Sequence, residues 1–336
     1  MQELREQLDS QNLHEIIKNL PQQFLDGFNL TNVSIKADTK KIIFCGMGGS
    51  ALPANLLKTF LAVSQSKFNI PIKINRDYRL PHLVDENWSG FFSSYSGNTE
   101  ETLSALADAE AKGMKEIVIF AHGGKLKEIA EEKGYKLIEV PDTKQPRMAY
   151  GFYIGALLKV FVNSGLLDLN LKEFTSDIEK ALKESDEIEA QSETLARATQ
   201  GKIALVYTSN IWKYVAMVWK INFNENSKTQ SFWNILPEMN HNEMVGFTNM
   251  VGEYKTFVLK DADEHERIIK RINIFEKILG KDLNIEVLEM KSGSPLYKMV
   301  TSLMLGLWTS YNLALINKID PAPVDMVENF KKQMNQ

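Results

Sequence analysis

From about residue 40 onward the chain alternates short apolar runs with longer amphipathic stretches. The segment KIIFCGMGGSALPANLLKTFLA predicts a strand, a glycine loop and a helix. IPIKIN, FFSSYS, EIVIFAH and KLIEVP predict further strands, with helical periodicity over 99–112 and 124–133 between them. Strands separated by helices pair in parallel, because each crossover carries the chain back to the same end of the sheet, and the helices cover the faces. A long apolar helix from about Tyr150 to Gly165 closes this unit, and the acidic stretch over 171–199 predicts an exposed helix leading onward. The second half repeats the plan, with KIALVYTS, YKTFVLK and NIEVLEM as strands and helices near 211–222, 264–279 and 295–316, but its first strand carries no glycine loop. The expected fold class is therefore α/β with parallel sheets in two domains: 1–168, a helical lead-in plus the glycine-loop domain, and 169–336.

Composition narrows the partners. The 336 residues carry a formal net charge of −4 and no Lys/Arg-rich run, which argues against nucleic acid or an anionic membrane surface and for a small metabolite. The N-terminus, MQELREQLDS, is charged from its third residue and lacks the apolar core of a secretory signal. The longest apolar stretches, near 151–162 and 302–316, are interrupted by Lys159 and by Thr309, Ser310 and Asn312, so neither is expected to reach membrane-span length. Cys45 is the only cysteine, which rules out an intrachain disulfide and suits a reducing, cytoplasmic setting.

Candidate chemistry gathers at three places. Ser94, Ser96, Gly97, Asn98 and Thr99 follow an apolar run and precede a helical pattern. Such a turn offers backbone N–H groups and hydroxyls to an anion such as a phosphate monoester, while Thr99 serves equally well as a plain N-cap. GMGGSA at 46–51 fits G-x-G-x-x-A, so a dinucleotide site is a competing expectation, with Asp77 near the end of the next strand as its ribose ligand. A phosphosugar site instead uses both strand-to-helix loops, Ser50 contributing from the first, while Gly48 and Gly49 read equally as a tight strand-to-helix turn alone. In DTKQPRMAYGF, Pro146 fixes the backbone ahead of Arg147, which stands where a cation opposes the helix dipole; a ligand and a plain surface charge are both open readings. The polar segment 221–247 sets Glu225 between Asn224 and Asn226, and His241 between Asn240 and Asn242. These are group types suited to acid/base chemistry near neutral pH, in what reads as an Asn-rich loop. No H-E-x-x-H, C-x-x-C or G-x-S-x-G motif is present, so neither a metal centre nor a serine hydrolase triad is expected.

GMGGS, SYSGNTEET, QPR, NENSK, NHNE and DPAPVDMVENFK, in that order from about residue 40 to the C-terminus, together resemble the bifunctional phosphoglucose/phosphomannose isomerases of the sugar isomerase (SIS) superfamily. The resemblance implies two SIS domains, each a three-layer αβα sandwich, a homodimer with active sites at the subunit interface, and isomerisation of sugar phosphates without metal or nucleotide cofactor. It further implies that Gly49, Ser50, Ser94, Ser96 and Thr99 hold the phosphate, that Glu225 is the base and that Arg147 steadies the enediolate. His241 would open the sugar ring from the neighbouring subunit, and Lys331, with Lys332 as a one-residue alternative, would reach the ring oxygen. Two departures stand out: Ser227 where Ala is expected, and Met326 where Pro is usual, which leaves the start of the last helix and the aim of Lys331 open. A nucleotide-linked oxidoreductase and a non-catalytic sugar-phosphate sensor on the same fold are the competing expectations.

Overall fold

The computed structural model describes residues 1–64 and 66–334. Among these, two all-parallel sheets form. The first contains β1 (Ile42–Gly46), β2 (Ile72–Asn75), β3 (Ser89–Ser94), β4 (Glu116–Ala121) and β5 (Lys136–Glu139), in the order β2-β1-β3-β4-β5. β1, β3 and β4 are buried along their whole length, as strands covered on both faces must be. Successive side chains point to opposite faces. Ile43, Cys45, Phe92, Ile117 and Ile119 pack with Ala105 and Leu106 of the helix Glu100–Ala111 and with Leu126 and Ala130 of the helix Gly124–Lys133. Phe44, Phe91 and Phe120 take the other face, where Phe91 meets Phe161 edge-on at 6.1 Å and Phe120 stacks on Tyr153 at 5.4 Å, both on the helix Tyr150–Asn163. The fold class is α/β as the alternation predicts.

The second sheet contains β6 (Ile203–Ser209), β7 (Ser231–Leu236), β8 (Tyr254–Lys260) and β9 (Ile285–Glu289), in the order β7-β6-β8-β9. Leu205, Tyr207 and Val258 pack with Ile272 and Phe275 of the helix Glu266–Leu279. Phe257 lies on the opposite face, 5.5 Å from Trp219 and 6.0 Å from Phe223 of the helix Lys213–Glu225. β7 is not among the predicted strands. It is a sheet edge, part-exposed along most of its length, so it needs little apolar sequence, and its Asn- and Gln-rich flanks read as loop.

Two further expectations change. The stretch 171–199 is two helices, Leu171–Lys183 and Ser185–Thr199. The helix Pro295–Ile316 does reach membrane-span length and apolarity, at 22 residues and mean hydropathy 1.3, but 89% of its most apolar stretch is buried inside the protein. Its polar residues are no interruption, because Thr309 donates to Leu305 O at 2.6 Å, Ser310 to Leu307 O at 2.8 Å and Asn312 to Ser192 Oγ at 2.8 Å.

The chain divides into two compact units, one of Asn19–Leu182 with Ser294–Leu296, holding the first sheet, and one of Met1–Lys18, Lys183–Gly293 and Tyr297 onward, holding the second. This division differs from the expected ranges at the leading residues, over 169–182 and at Ser294–Leu296. Buried Phe174 lies 5.3 Å from the Phe28 ring, which ties most of the helix Leu171–Lys183 to the first sheet's unit. The leading residues join the second sheet's unit, where His14 packs 4.9 Å from Trp308 and Tyr311 donates to Asp9 at 2.9 Å.

Candidate active site

The order β2-β1-β3-β4-β5 reverses direction between β1 and β3, and ligands of parallel α/β sheets bind beyond the carboxyl ends of the strands at such a point. The loops leaving those two strands are GMGGS and SYSGNT. Ser50, buried in the first turn of the helix Gly48–Val63, accepts the N–H of Tyr95 at 3.0 Å and so joins one loop to the other. The Ser94 and Thr99 hydroxyls lie 2.8 Å apart, and Ser94 Oγ also accepts the Thr99 N–H at 3.4 Å. Thr99 is the N-cap residue of the helix Glu100–Ala111, but its hydroxyl makes no capping bond. Ser96 is exposed and accepts the Asn98 N–H at 3.3 Å. Gly97 has φ +72°, and a Cβ there would sit 1.7 Å from Gly123 O, so glycine alone lets the loop lie against its neighbour. The result is a group of neutral hydroxyls beside helix N-termini, a combination whose chemistry suits a phosphate dianion.

Tyr95 carries this cradle to the next segment. Its hydroxyl donates to Asp142 at 2.9 Å and accepts the Thr143 N–H at 2.7 Å. Hydrogen bonds from Lys144 and Tyr95 hold the Asp142 carboxyl down at about 2. Arg147 follows in the 3-10 turn Pro146–Met148, only 1% exposed, with a guanidinium N–H on Gln145 Oε1 at 2.9 Å. A Cβ on Gly49 would lie 2.8 Å from Arg147 N and 2.9 Å from Pro146 C, so this turn rests directly on the glycine loop. Gly49, Ser50, Ser94, Thr99 and Arg147 are therefore brought together in one unit, with Ser96 at the exposed edge.

The remaining candidates lie in the other unit. Glu225 is the last residue of the helix Lys213–Glu225, half-buried, rather than part of a loop. Behind it, fully buried Asn226 donates to Ser310 at 2.9 Å, and Ser227 donates to Phe223 O at 2.7 Å, so the hydroxyl that stands where Ala is expected leaves no polar group unsatisfied. His241 ends the 3-10 turn Glu238–His241 and is exposed. Glu243, two residues on, accepts from the Tyr207 hydroxyl and from Asn234 Nδ2, which anchors the turn to β6 and β7; burial, and then this carboxylate, push the Tyr207 hydroxyl far above its usual range. Lys331 lies on the helix Asp325–Met334, exposed, with its ammonium on Glu328 at 2.8 Å. That helix starts despite Met326 in place of Pro, with acidic Asp325 and Glu328 early and Lys331 and Lys332 late, as the dipole favours. Tyr95 and Glu243 are not singled out by residue pattern, although both lie inside the quoted motifs. Asp77, the ribose ligand of the competing reading, accepts the Tyr78 N–H at 2.7 Å. Among the described residues no group of three or more His, Cys, Asp or Glu is placed to hold a metal.

Comparison with known proteins points the same way. The family model of the bacterial phospho-glucose isomerase C-terminal SIS domain matches residues 188–334. A bifunctional phosphoglucose/phosphomannose isomerase of Caldicellulosiruptor bescii is 35% identical over 96% of this chain and 98% of its own. One of Aquifex aeolicus is 34% identical over 88% and 91%. A hypothetical protein from Thermus thermophilus shares the fold at a TM-score of 0.78 and 15% identity, over 99% of this chain and 93% of its own. With near-complete coverage at this identity, and with the quoted motifs at the switch point, the chain belongs to the bifunctional phosphoglucose/phosphomannose isomerase family.

Proposed function

We propose that this protein interconverts fructose 6-phosphate with glucose 6-phosphate and mannose 6-phosphate through a cis-enediol. The observation that carries the reading is the hydroxyl cradle of Ser50, Ser94 and Thr99 at the switch point, with the Arg147 turn seated on Gly49. The first SIS domain holds the phosphate through these residues and Ser96. Glu225, from the second, takes the proton from C2 of the aldose and returns it to C1 of the ketose, so a single carboxylate completes the transfer. The oxyanion that develops as the proton leaves is stabilised by the Arg147 guanidinium. Cyclic sugar must open first, and His241 and Lys331 divide the proton delivery to the ring oxygen and the proton removal at the anomeric hydroxyl. Rotation of the enediol about C2–C3 lets the proton return to either face of C2, which yields mannose 6-phosphate as well. No metal or nucleotide enters the scheme.

A homodimer in which His241 serves the partner's site belongs to the same reading. Its support is the exposure of His241 itself together with Val245, 68% exposed, and Val251, 89% exposed. A cytoplasmic place in carbohydrate metabolism, glycolytic or gluconeogenic, follows from the substrates and agrees with a single, buried, free Cys45. The enediol step is tested with glucose 6-phosphate tritiated at C2. Partial release of label to water supports a proton passed through an exchanging base, and complete retention in the product overturns that step.

A further inference from the structure

We propose that Lys228 is a positioning residue for this isomerisation, tying the helix end that carries Glu225 to the root of the helix that carries Lys331. The inference rests on the function proposed above, in which those two side chains serve one reaction. The Lys228 ammonium shares its protons among four main-chain carbonyls. Two, Glu225 O at 3.0 Å and Asn226 O at 3.2 Å, belong to the end of the helix Lys213–Glu225; the others, Asp320 O at 2.8 Å and Pro321 O at 3.2 Å, belong to the turn leading to the helix Asp325–Met334.

The two groups of acceptors differ in kind. Carbonyls at a helix C-terminus lack intrahelical partners and form the negative end of its dipole, so a cation there is favoured. Asp320 and Pro321 have no such reason to meet an ammonium, and they lie far along the chain, at separations of 92 and 93. Lys228 reaches both from a backbone φ of +51°, a conformation unfavourable for a residue with a Cβ. The turn itself is stiffened by Ala322 N–H on Asp320 Oδ1 at 2.9 Å, and the helix begins with Val327 N–H on Val324 O at 2.8 Å.

No residue of the helix Asp325–Met334 is buried, and Met326 and Phe330 are 87% and 65% exposed. Its direction is therefore set at its root more than by packing along its length. Lys331 lies about 9 Å beyond Asp325 at 1.5 Å per residue, so a small tilt at the root displaces the ammonium on the order of 1 Å, enough to cost up to about a hundredfold in rate.

The test replaces Lys228 by Met, which keeps the aliphatic stem and removes the donors, and by Arg, which keeps a cation with several donors. Turnover is measured on fructose 6-phosphate and on 5-deoxyfructose 6-phosphate, which lacks the hydroxyl that closes the ring, and amide hydrogen exchange is followed over 320–334. The expected result for Lys228→Met is a kcat about tenfold or more lower on fructose 6-phosphate with KM nearly unchanged, a smaller loss on the 5-deoxy sugar, and faster exchange in the helix; Lys228→Arg restores much of each. Should Lys228→Met fail to fold, Lys228→Gln, which keeps a neutral donor, takes its place. A folded variant with wild-type kcat, or with unchanged exchange over 325–334, overturns the role. If the wild type isomerises neither sugar, the proposed function fails, and hydrogen exchange alone still decides the tie.

Discussion

Ser50 and Tyr95 are joined by a 3.0 Å hydrogen bond from main-chain N–H to side-chain hydroxyl, and through it the loop after β1 is fixed to the loop after β3. The adjacent residue Ser94 pairs with Thr99 at 2.8 Å, so three hydroxyls lie close to the starts of two helices. Replacing Thr99 by Val keeps the shape and removes one donor. We expect KM for fructose 6-phosphate to rise about tenfold or more, as for loss of a hydrogen bond to a charged group, with Tm little changed. Steady-state kinetics and a thermal melt check it; an unaltered KM removes Thr99 from phosphate binding.

Gly49 tests the contact between the glycine loop and Arg147. Ala at this position brings a methyl within 2.8 Å of Arg147 N, a backbone atom that cannot rotate away, so the 3-10 turn must shift. Gly49→Ala is expected to lower kcat about a hundredfold, comparable to loss of an oxyanion donor, with a smaller effect on KM. A variant with native kcat means that the guanidinium position is not coupled to the loop.

Glu225→Gln preserves the shape of the side chain but removes the base. Turnover should fall by about a thousandfold or more while circular dichroism and Tm stay close to wild type. Near-normal turnover assigns the proton transfer to another group.

His241→Ala should impair fructose 6-phosphate far more than 5-deoxyfructose 6-phosphate, because only the first needs its ring opened. Equal losses on both sugars argue against a ring-opening role. Mixing Glu225→Gln with His241→Ala protein should regain part of the wild-type rate if His241 acts in the partner's site, and none if each chain is self-sufficient.

His14 gives a pH-dependent stability that does not involve the site. Burial opposes its charge, but hydrogen bonds to Glu189 at 2.9 Å and Glu15 at 3.1 Å outweigh that and the nearby Arg5, so its pKa is raised above 6.5. A histidine that holds its proton more tightly when folded contributes fully below the unfolded value and loses that contribution as pH rises through the raised one. Tm of wild type minus Tm of His14→Gln should therefore shrink as pH climbs from about 6 through neutrality; a difference that is flat with pH contradicts the assignment.

Much of this was open to reading from the chain. Buried strands such as IIFCG and EIVIFA are apolar apart from Glu116 at the start of the second, and bounded by turns, so their limits are plain. The turn after β3 was legible as a strand-to-helix loop rich in hydroxyls and glycine, but its pattern left anion binding and plain capping by Thr99 equally open. β7 was not, since an edge strand with one buried end residue at each side carries a weak pattern. Glu225 reads as loop because amides surround it, whereas the helix is sustained by buried Trp219, Asn222 and Phe223 on its inner face. The placement of Met1–Lys18 depends on contacts of His14 and Asp9 with Trp308 and Tyr311, close to the other end of the chain, which no local pattern encodes.

The most direct measurement is an assay of fructose 6-phosphate in EDTA, with glucose 6-phosphate and mannose 6-phosphate quantified separately. The proposed function predicts that both form and that neither depends on added metal. Glucose 6-phosphate alone would mean that C2 is reprotonated on one face only, and formation of neither sugar contradicts the isomerase assignment for this chain.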